Sequence, residues 1–103
     1  MLLRVNLELE GYRVLEAADA AGVREAVGSE PVSLVLLDVR LGTDDGIAVA
    51  RELRTDHPAV TIAFLTGSAI TLAEDAEDAA DAVIHKPFDL EELSATVARL
   101  ARP

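Results

Sequence analysis

The segment Val32-Ser33-Leu34-Val35-Leu36-Leu37-Asp38 limits what this chain can fold into more than any other. It is apolar without period, it follows the breaker Ser29-Glu30-Pro31, and it stops on a carboxylate. A short continuous run of Val and Leu suits a strand covered on both faces, as in a parallel sheet, rather than a strand with one wet face. The pattern recurs: Val60 to Leu65 runs into Thr66, and Ala82 to His85 runs into Lys86-Pro87. In an open α/β sheet the ligand crevice lies outside the carboxyl ends of the strands. Three such endings place a carboxylate, a hydroxyl and an ammonium at one rim, a set that suits an anionic group and most simply a phosphoryl.

Helical patterns alternate with these strands. Leu2, Val5 and Leu9 have helical spacing, and Gly11 is placed to end that helix in a left-handed cap. Tyr12 to Ala17 reads as a short, more polar edge strand. Asp19 caps a helix through about Val27 with Ala20, Val23 and Val27 inward, although Gly22 weakens it by about 1 kcal/mol relative to Ala. Leu41 to Asp45 reads as a loop, and Gly46 to Thr55 as a helix burying Ile47, Ala50 and Leu53. His57-Pro58 breaks it. A weak helix is expected within Thr71 to Ala80. Asp89 and Glu92 form a capping box that opens a last helix with Leu90, Leu93, Val97 and Leu100 inward. Strand and helix in alternation predict right-handed crossovers and a three-layer α/β/α sandwich.

Composition excludes several classes. At 103 residues the chain is one domain, and with only three aromatic residues its core must be aliphatic. The absence of cysteine removes disulfides, thiolate zinc sites and thiol nucleophiles. No apolar run approaches a membrane span and no signal-like core opens the chain, so a cytoplasmic setting is expected. A net charge of −10, with nine scattered Lys and Arg, argues against direct nucleic-acid binding and points to protein or small-molecule partners. Glu74, Asp75, Glu77, Asp78 and Asp81 form either a solvated helix face or a recognition surface for a basic partner.

Three motifs in order, Asp38-Val39-Arg40-Leu41-Gly42-Thr43-Asp44-Asp45-Gly46, Phe64-Leu65-Thr66-Gly67 and His85-Lys86-Pro87-Phe88, resemble the receiver domain of bacterial two-component response regulators. The resemblance covers essentially the whole chain. It implies a flavodoxin-like fold, with Asp38 as the acceptor of a phosphoryl group from a histidine kinase or phosphotransfer protein. It implies Thr66 and Lys86 as contacts to the phosphoryl oxygens, and a cis peptide before Pro87. It also implies a Mg²⁺ ion held by Asp38, the Arg40 backbone carbonyl and an acidic pair after a first strand. The chemistry needs such residues, since phosphoryl transfer is mostly positioning and neutralisation of oxygen charge. A downstream protein partner would read the surface of the weak helix, last strand and last helix.

The first strand and acidic pair of the family are not in this sequence, which begins inside the first helix. Glu8 and Glu10 lie at the wrong end of that helix, and Asp44 and Asp45 read as a solvated loop and a helix cap rather than metal ligands. Weak metal binding is expected. In the family's 2-1-3-4-5 strand order the absent strand lies between Tyr12 to Ala17 and Val32 to Leu37. About four core side chains at ~1.5–3 kcal/mol each would go with it, comparable with the ~5–15 kcal/mol net stability of a domain. Three remedies are open: the Tyr12 strand pairs directly with Val32 to Leu37, a second chain covers the gap as in a homodimer, or residues 1–103 are an N-terminally truncated reading, which is the favoured expectation. Other departures are Val83, where many receivers carry an aromatic, a short interval from Thr66 to Lys86, and Gly42 where Pro is common. The alternative function is therefore a degenerate receiver, a phosphorylation-independent interaction or dimerisation module.

Other enzyme classes fit less well. A haloacid dehalogenase-type phosphatase would want Asp where Arg40 stands, and no Gly-rich loop leads into Lys-Ser or Lys-Thr as a P-loop requires. His85 reads as structural or exposed, and His57 as a helix-end residue. The expectation is a signalling module rather than an enzyme.

Overall fold

A computed structural model describes residues 2–41, 44–67, 79–86 and 89–101. The expected weak helix falls largely outside them, as do Glu74 to Asp78 and Pro87. The described elements are α1 (Leu2–Leu9), α2 (Ala20–Ser29), β1 (Leu34–Asp38), β2 (Arg40–Leu41), β3 (Asp44–Asp45), α3 (Gly46–Asp56), β4 (Thr61–Gly67), β5 (Ala82–Lys86) and α4 (Leu90–Leu100).

The three apolar runs form a parallel sheet in the order β1-β4-β5. Leu34 pairs with Thr61 and Asp38 with Leu65, while Ala63 pairs with Ala82 and Gly67 with Lys86. Because successive side chains leave opposite faces, Val35 and Leu37 join one core with α2 and α3, around Val23, Val27, Ala50, Leu53, Ile62 and Phe64. Leu34, Leu36 and Ile84 join a second with Leu7 of α1 and Leu93 and Val97 of α4. Both faces of the sheet are thus covered, which is why its strands carry no polar alternation, and the layers are α/β/α as expected.

Helix ends follow local chemistry. The Asp19 carboxylate accepts from the Gly22 N–H at 2.8 Å and that of Asp89 from the Glu92 N–H at 2.7 Å, each satisfying an amide that the first turn leaves free. Gly11, at φ +98°, closes α1: its N–H reaches the Glu8 carbonyl and the Tyr12 N–H reaches that of Leu7, a Schellman arrangement. α1 does not turn Val5 and Leu9 inward as their spacing predicts. Leu7 is buried against α4, whereas Val5 and Leu9, two positions away and so about 200° round the helix, are exposed.

Tyr12 to Ala17 is not a strand. It lies beyond reach of β1, and no backbone hydrogen bond joins the two. Between them is a cavity of about 460 Å³. The direct pairing of this segment with β1 does not occur, and without a neighbouring ladder an extended backbone does not become a strand. The Leu41–Asp45 connection, read as a loop, is closed instead by a small antiparallel ladder pairing Arg40 with Asp45 and Leu41 with Asp44.

α3 is fastened to the sheet by an ion-paired clip. Asp81 accepts from the Ile62 N–H at 2.9 Å and pairs with Arg54 at 3.0 Å, while Arg54 also donates to the Ala79 carbonyl at 3.2 Å. Partial burial opposes the Asp81 charge, but the Ile62 amide and Arg54 outweigh it and hold its carboxyl below the ordinary carboxylate value. A depressed acid stabilises the fold above its unfolded pKa and ceases to as pH falls through its folded one. Asp81→Ala is therefore expected to cost about 1 kcal/mol at neutral pH. Urea titrations of both proteins should show that deficit shrinking below about pH 4.

Gly46 brings α3 against the end of β1. Its N–H donates to the Val39 carbonyl at 2.8 Å, and a Cβ there would overlap the Asp38 carbonyl oxygen and come within 2.8 Å of that of Val39. Both obstacles are backbone, so neither can rotate away. Gly46→Ala should destabilise by roughly 2–3 kcal/mol, while Gly28→Ala, whose Cβ meets nothing within 4 Å, should gain about 0.5–1 kcal/mol. Chemical denaturation of the two variants checks the contrast.

Candidate functional site

The carboxyl ends of the parallel strands carry the three residues singled out by the sequence. Asp38 ends β1, in a register row with Leu65 and Ile84; Thr66 lies one step beyond Leu65 on β4, and Lys86 two steps beyond Ile84 on β5. The extra length of β5 carries an ammonium past the row to the Asp38 carboxylate, and Lys86 Nζ stands 2.7 Å from Asp38 Oδ1. Both side chains are a little under half exposed, so the pair sits in a mouth that solvent reaches. The Thr66 side chain, by contrast, is buried on the central strand of the described sheet. His85, its register partner, is exposed, and His57 caps the end of α3 by donating its N–H to the Leu53 carbonyl.

The acidic residues after β1 are engaged elsewhere. Asp45 accepts from the Ile47 N–H at 2.9 Å and caps α3. Asp44 reaches across to α2, where its Oδ2 accepts from the Ala20 N–H at 2.9 Å. The second contact was not legible in the chain, because it joins residues 24 positions apart and Asp19 already supplies an ordinary cap. Together the two carboxylates tie the connection after β1 to the amino ends of both helices on one face of the sheet. Arg40, the expected carbonyl ligand, sits in the short β2–β3 ladder. Among the described residues no group of three or more His, Cys, Asp or Glu gathers as a metal cage.

A parallel sheet with Asp and Lys meeting at its carboxyl rim is what the receiver resemblance requires, and comparison with known proteins agrees. Residues 1–98 match the family model described as the response regulator receiver domain. The chain belongs to that family. It is 37% identical to the DNA-binding dual master transcriptional regulator RpaA of Synechocystis sp., over 98% of this chain and 44% of RpaA. It is 38% identical to the response regulator receiver protein CpdR of Brucella abortus, over 84% of this chain and 74% of CpdR. Among solved structures, the receiver domain of NtrX from Brucella abortus superposes with a TM-score of 0.88 at 29% identity, covering 97% of this chain and 87% of that one. The chain thus spans less than half of RpaA but most of an isolated receiver.

The fold is accordingly the flavodoxin-like receiver fold of two-component signalling. Receivers generally bind Mg²⁺ beside the phosphorylation site; here Asp38 is salt-bridged to Lys86, and Asp44 and Asp45 are occupied at helix ends. The described side chains do not by themselves make a Mg²⁺ site. No helix among the described residues is long and apolar enough to cross a membrane.

The Lys86–Asp38 pair is exposed enough that its attraction is screened and its contribution to folding small. Lys86→Met is expected to change unfolding free energy by less than about 1 kcal/mol, measured by urea denaturation. A larger loss would mean that the pair is part of the architecture rather than of a site.

Proposed function

We propose that residues 1–103 act as one phosphoacceptor receiver in which Asp38 takes the phosphoryl group. The 2.7 Å meeting of Lys86 and Asp38 at the carboxyl rim of the sheet carries this reading. A carboxylate oxygen of Asp38 attacks the phosphorus of a phosphohistidine on a histidine kinase or phosphotransfer protein. The new O–P bond forms as the P–N bond breaks, and the histidine leaves with the electron pair. Lys86 then faces a group bearing more negative charge than the carboxylate, and its ammonium moves from Asp38 to a phosphoryl oxygen. The Thr66 hydroxyl donates to another of those oxygens. Since Thr66 lies in the central strand and Lys86 at the end of β5, their shift on phosphorylation would be felt on the β5–α4 surface, where a downstream protein partner would read it. The Arg40 carbonyl keeps its expected role in this scheme, as a cation ligand.

A second reading has its own support. Asp44 and Asp45 hold helix termini rather than a cation, and an exposed, screened lysine alone neutralises little of the charge that builds on phosphoryl oxygens. A receiver of this kind would serve as an interaction or dimerisation module independent of phosphorylation.

The two readings separate on incubation with acetyl phosphate and Mg²⁺. Intact mass spectrometry is expected to show one added phosphoryl group, absent in Asp38→Asn and reduced about tenfold or more in Lys86→Ala. No labelling of a folded sample would leave the interaction module.

A further inference from the structure

The Asp38 carboxylate and the connection that follows it are drawn to opposite faces of the sheet. Side chains alternate along β1, so Asp38 falls on the side of Leu34 and Leu36, toward the α1/α4 layer, and meets Lys86 there. Val39 turns back to the core beneath α2 and α3. The chain then doubles back as the β2–β3 ladder, Arg40 opposite Asp45 and Leu41 opposite Asp44. Two residues span at most ~7 Å, so this ladder stands close enough to Asp38 either to cover the carboxylate or to leave it open.

Three hydrogen bonds set its direction. The Gly46 N–H donates to the Val39 carbonyl at 2.8 Å and closes the base of the ladder, and Asp45 accepts from the Ile47 N–H at 2.9 Å. Both bonds are local and would move with the ladder and its own helix. The third reaches another element: Asp44 Oδ2 accepts from the Ala20 N–H at 2.9 Å, and Ala20 is buried in the core at the start of α2.

α2 does not need that third bond for its own sake. Asp19 already caps the same turn by accepting from the Gly22 N–H at 2.8 Å, and a second carboxylate at one helix end brings like charges together. The Arg24 guanidinium, one turn along α2, is held above its ordinary pKa chiefly by Glu52 of α3 and least by Asp44. Water can satisfy the amide of a first helical turn, but water cannot hold the connection against α2.

We infer that Asp44 is a positioning residue for phosphoryl transfer: its bond to Ala20 draws the β2–β3 ladder to the α2/α3 side and holds it clear of the Asp38–Lys86 mouth, so that a phosphodonor reaches the carboxylate. This role rests on the reading of Asp38 as the phosphoacceptor.

The test compares the full chain with four variants, in phosphoryl uptake from acetyl phosphate with Mg²⁺ followed by intact mass, and in unfolding by urea. Asp44→Ala should slow uptake about tenfold, and NMR should show faster exchange of the Ala20 amide. Asp44→Asn keeps an oxygen that accepts the same N–H, and should take up phosphoryl within about twofold of the unaltered chain. Ala20→Pro removes the donor instead of the acceptor. Proline suits the first position of a helix, and Asp19 before it is already extended at φ −151°, ψ 175°; this variant should be slowed as much as Asp44→Ala. Asp19→Ala weakens the same helix end without releasing the connection, so it should lower the urea midpoint yet label at the unaltered rate, a separation that a purely structural role for Asp44 would not produce. Unslowed Asp44→Ala and Ala20→Pro, a slow Asp44→Asn, or equal slowing by Asp19→Ala would overturn the role of Asp44 and leave Asp38 as the acceptor. No label on any form, the unaltered chain included, would overturn both.

Discussion

The parallel ladder between Leu34–Asp38 and Thr61–Leu65 is the contact on which the molecule turns. It fixes where β1 ends, and so where the Asp38 carboxylate stands relative to the tips of β4 and β5. It also divides the apolar side chains between two cores, since Val35 and Leu37 go to the α2/α3 face and Leu34 and Leu36 to the α1/α4 face. A slip of one residue would exchange the two sets and turn Asp38 away from Lys86. Register, core and site geometry are therefore one constraint expressed three ways.

Carboxylates have two kinds of work in this receiver. Asp19, Asp44, Asp45 and Asp89 each accept a backbone N–H at the start of a helix, where unpaired amides and the helix dipole favour negative charge. Asp81 closes a clip between α3 and the sheet. Asp38 alone among these ends a strand of the parallel sheet and meets a lysine in an open mouth. What sets it apart is its place at the rim, not its chemistry, and Gly46 keeps that place by letting α3 come against the last peptide of β1.

The same ladder leaves β1 with one edge paired and one facing the cavity. β1 therefore lies at an edge of the described sheet, with most of its side chains only half-buried. The Tyr12–Ala17 segment lines the other side of that cavity, between the Gly11 cap that closes α1 and the Asp19 cap that opens α2.

Much of the fold and the candidate site was legible in the chain because the signals are local. Aperiodic apolar runs named the three strands, Asp19 and Asp89 marked helix starts, Gly11 marked a helix end, and the residues closing each run named Asp38, Thr66 and Lys86 before any geometry was known. Other features depend on groups far apart in the sequence. The inward face of α1 was decided by Leu93 and Val97 of α4, the role of Asp44 by the distant amide of Ala20, and the failure of Tyr12–Ala17 to form a strand by the lack of a strand paired with it. Periodicity and capping act within a few residues and can be read along a line. Pairing, and the distance between a lysine and a carboxylate 48 positions apart, exist only once the layers have packed.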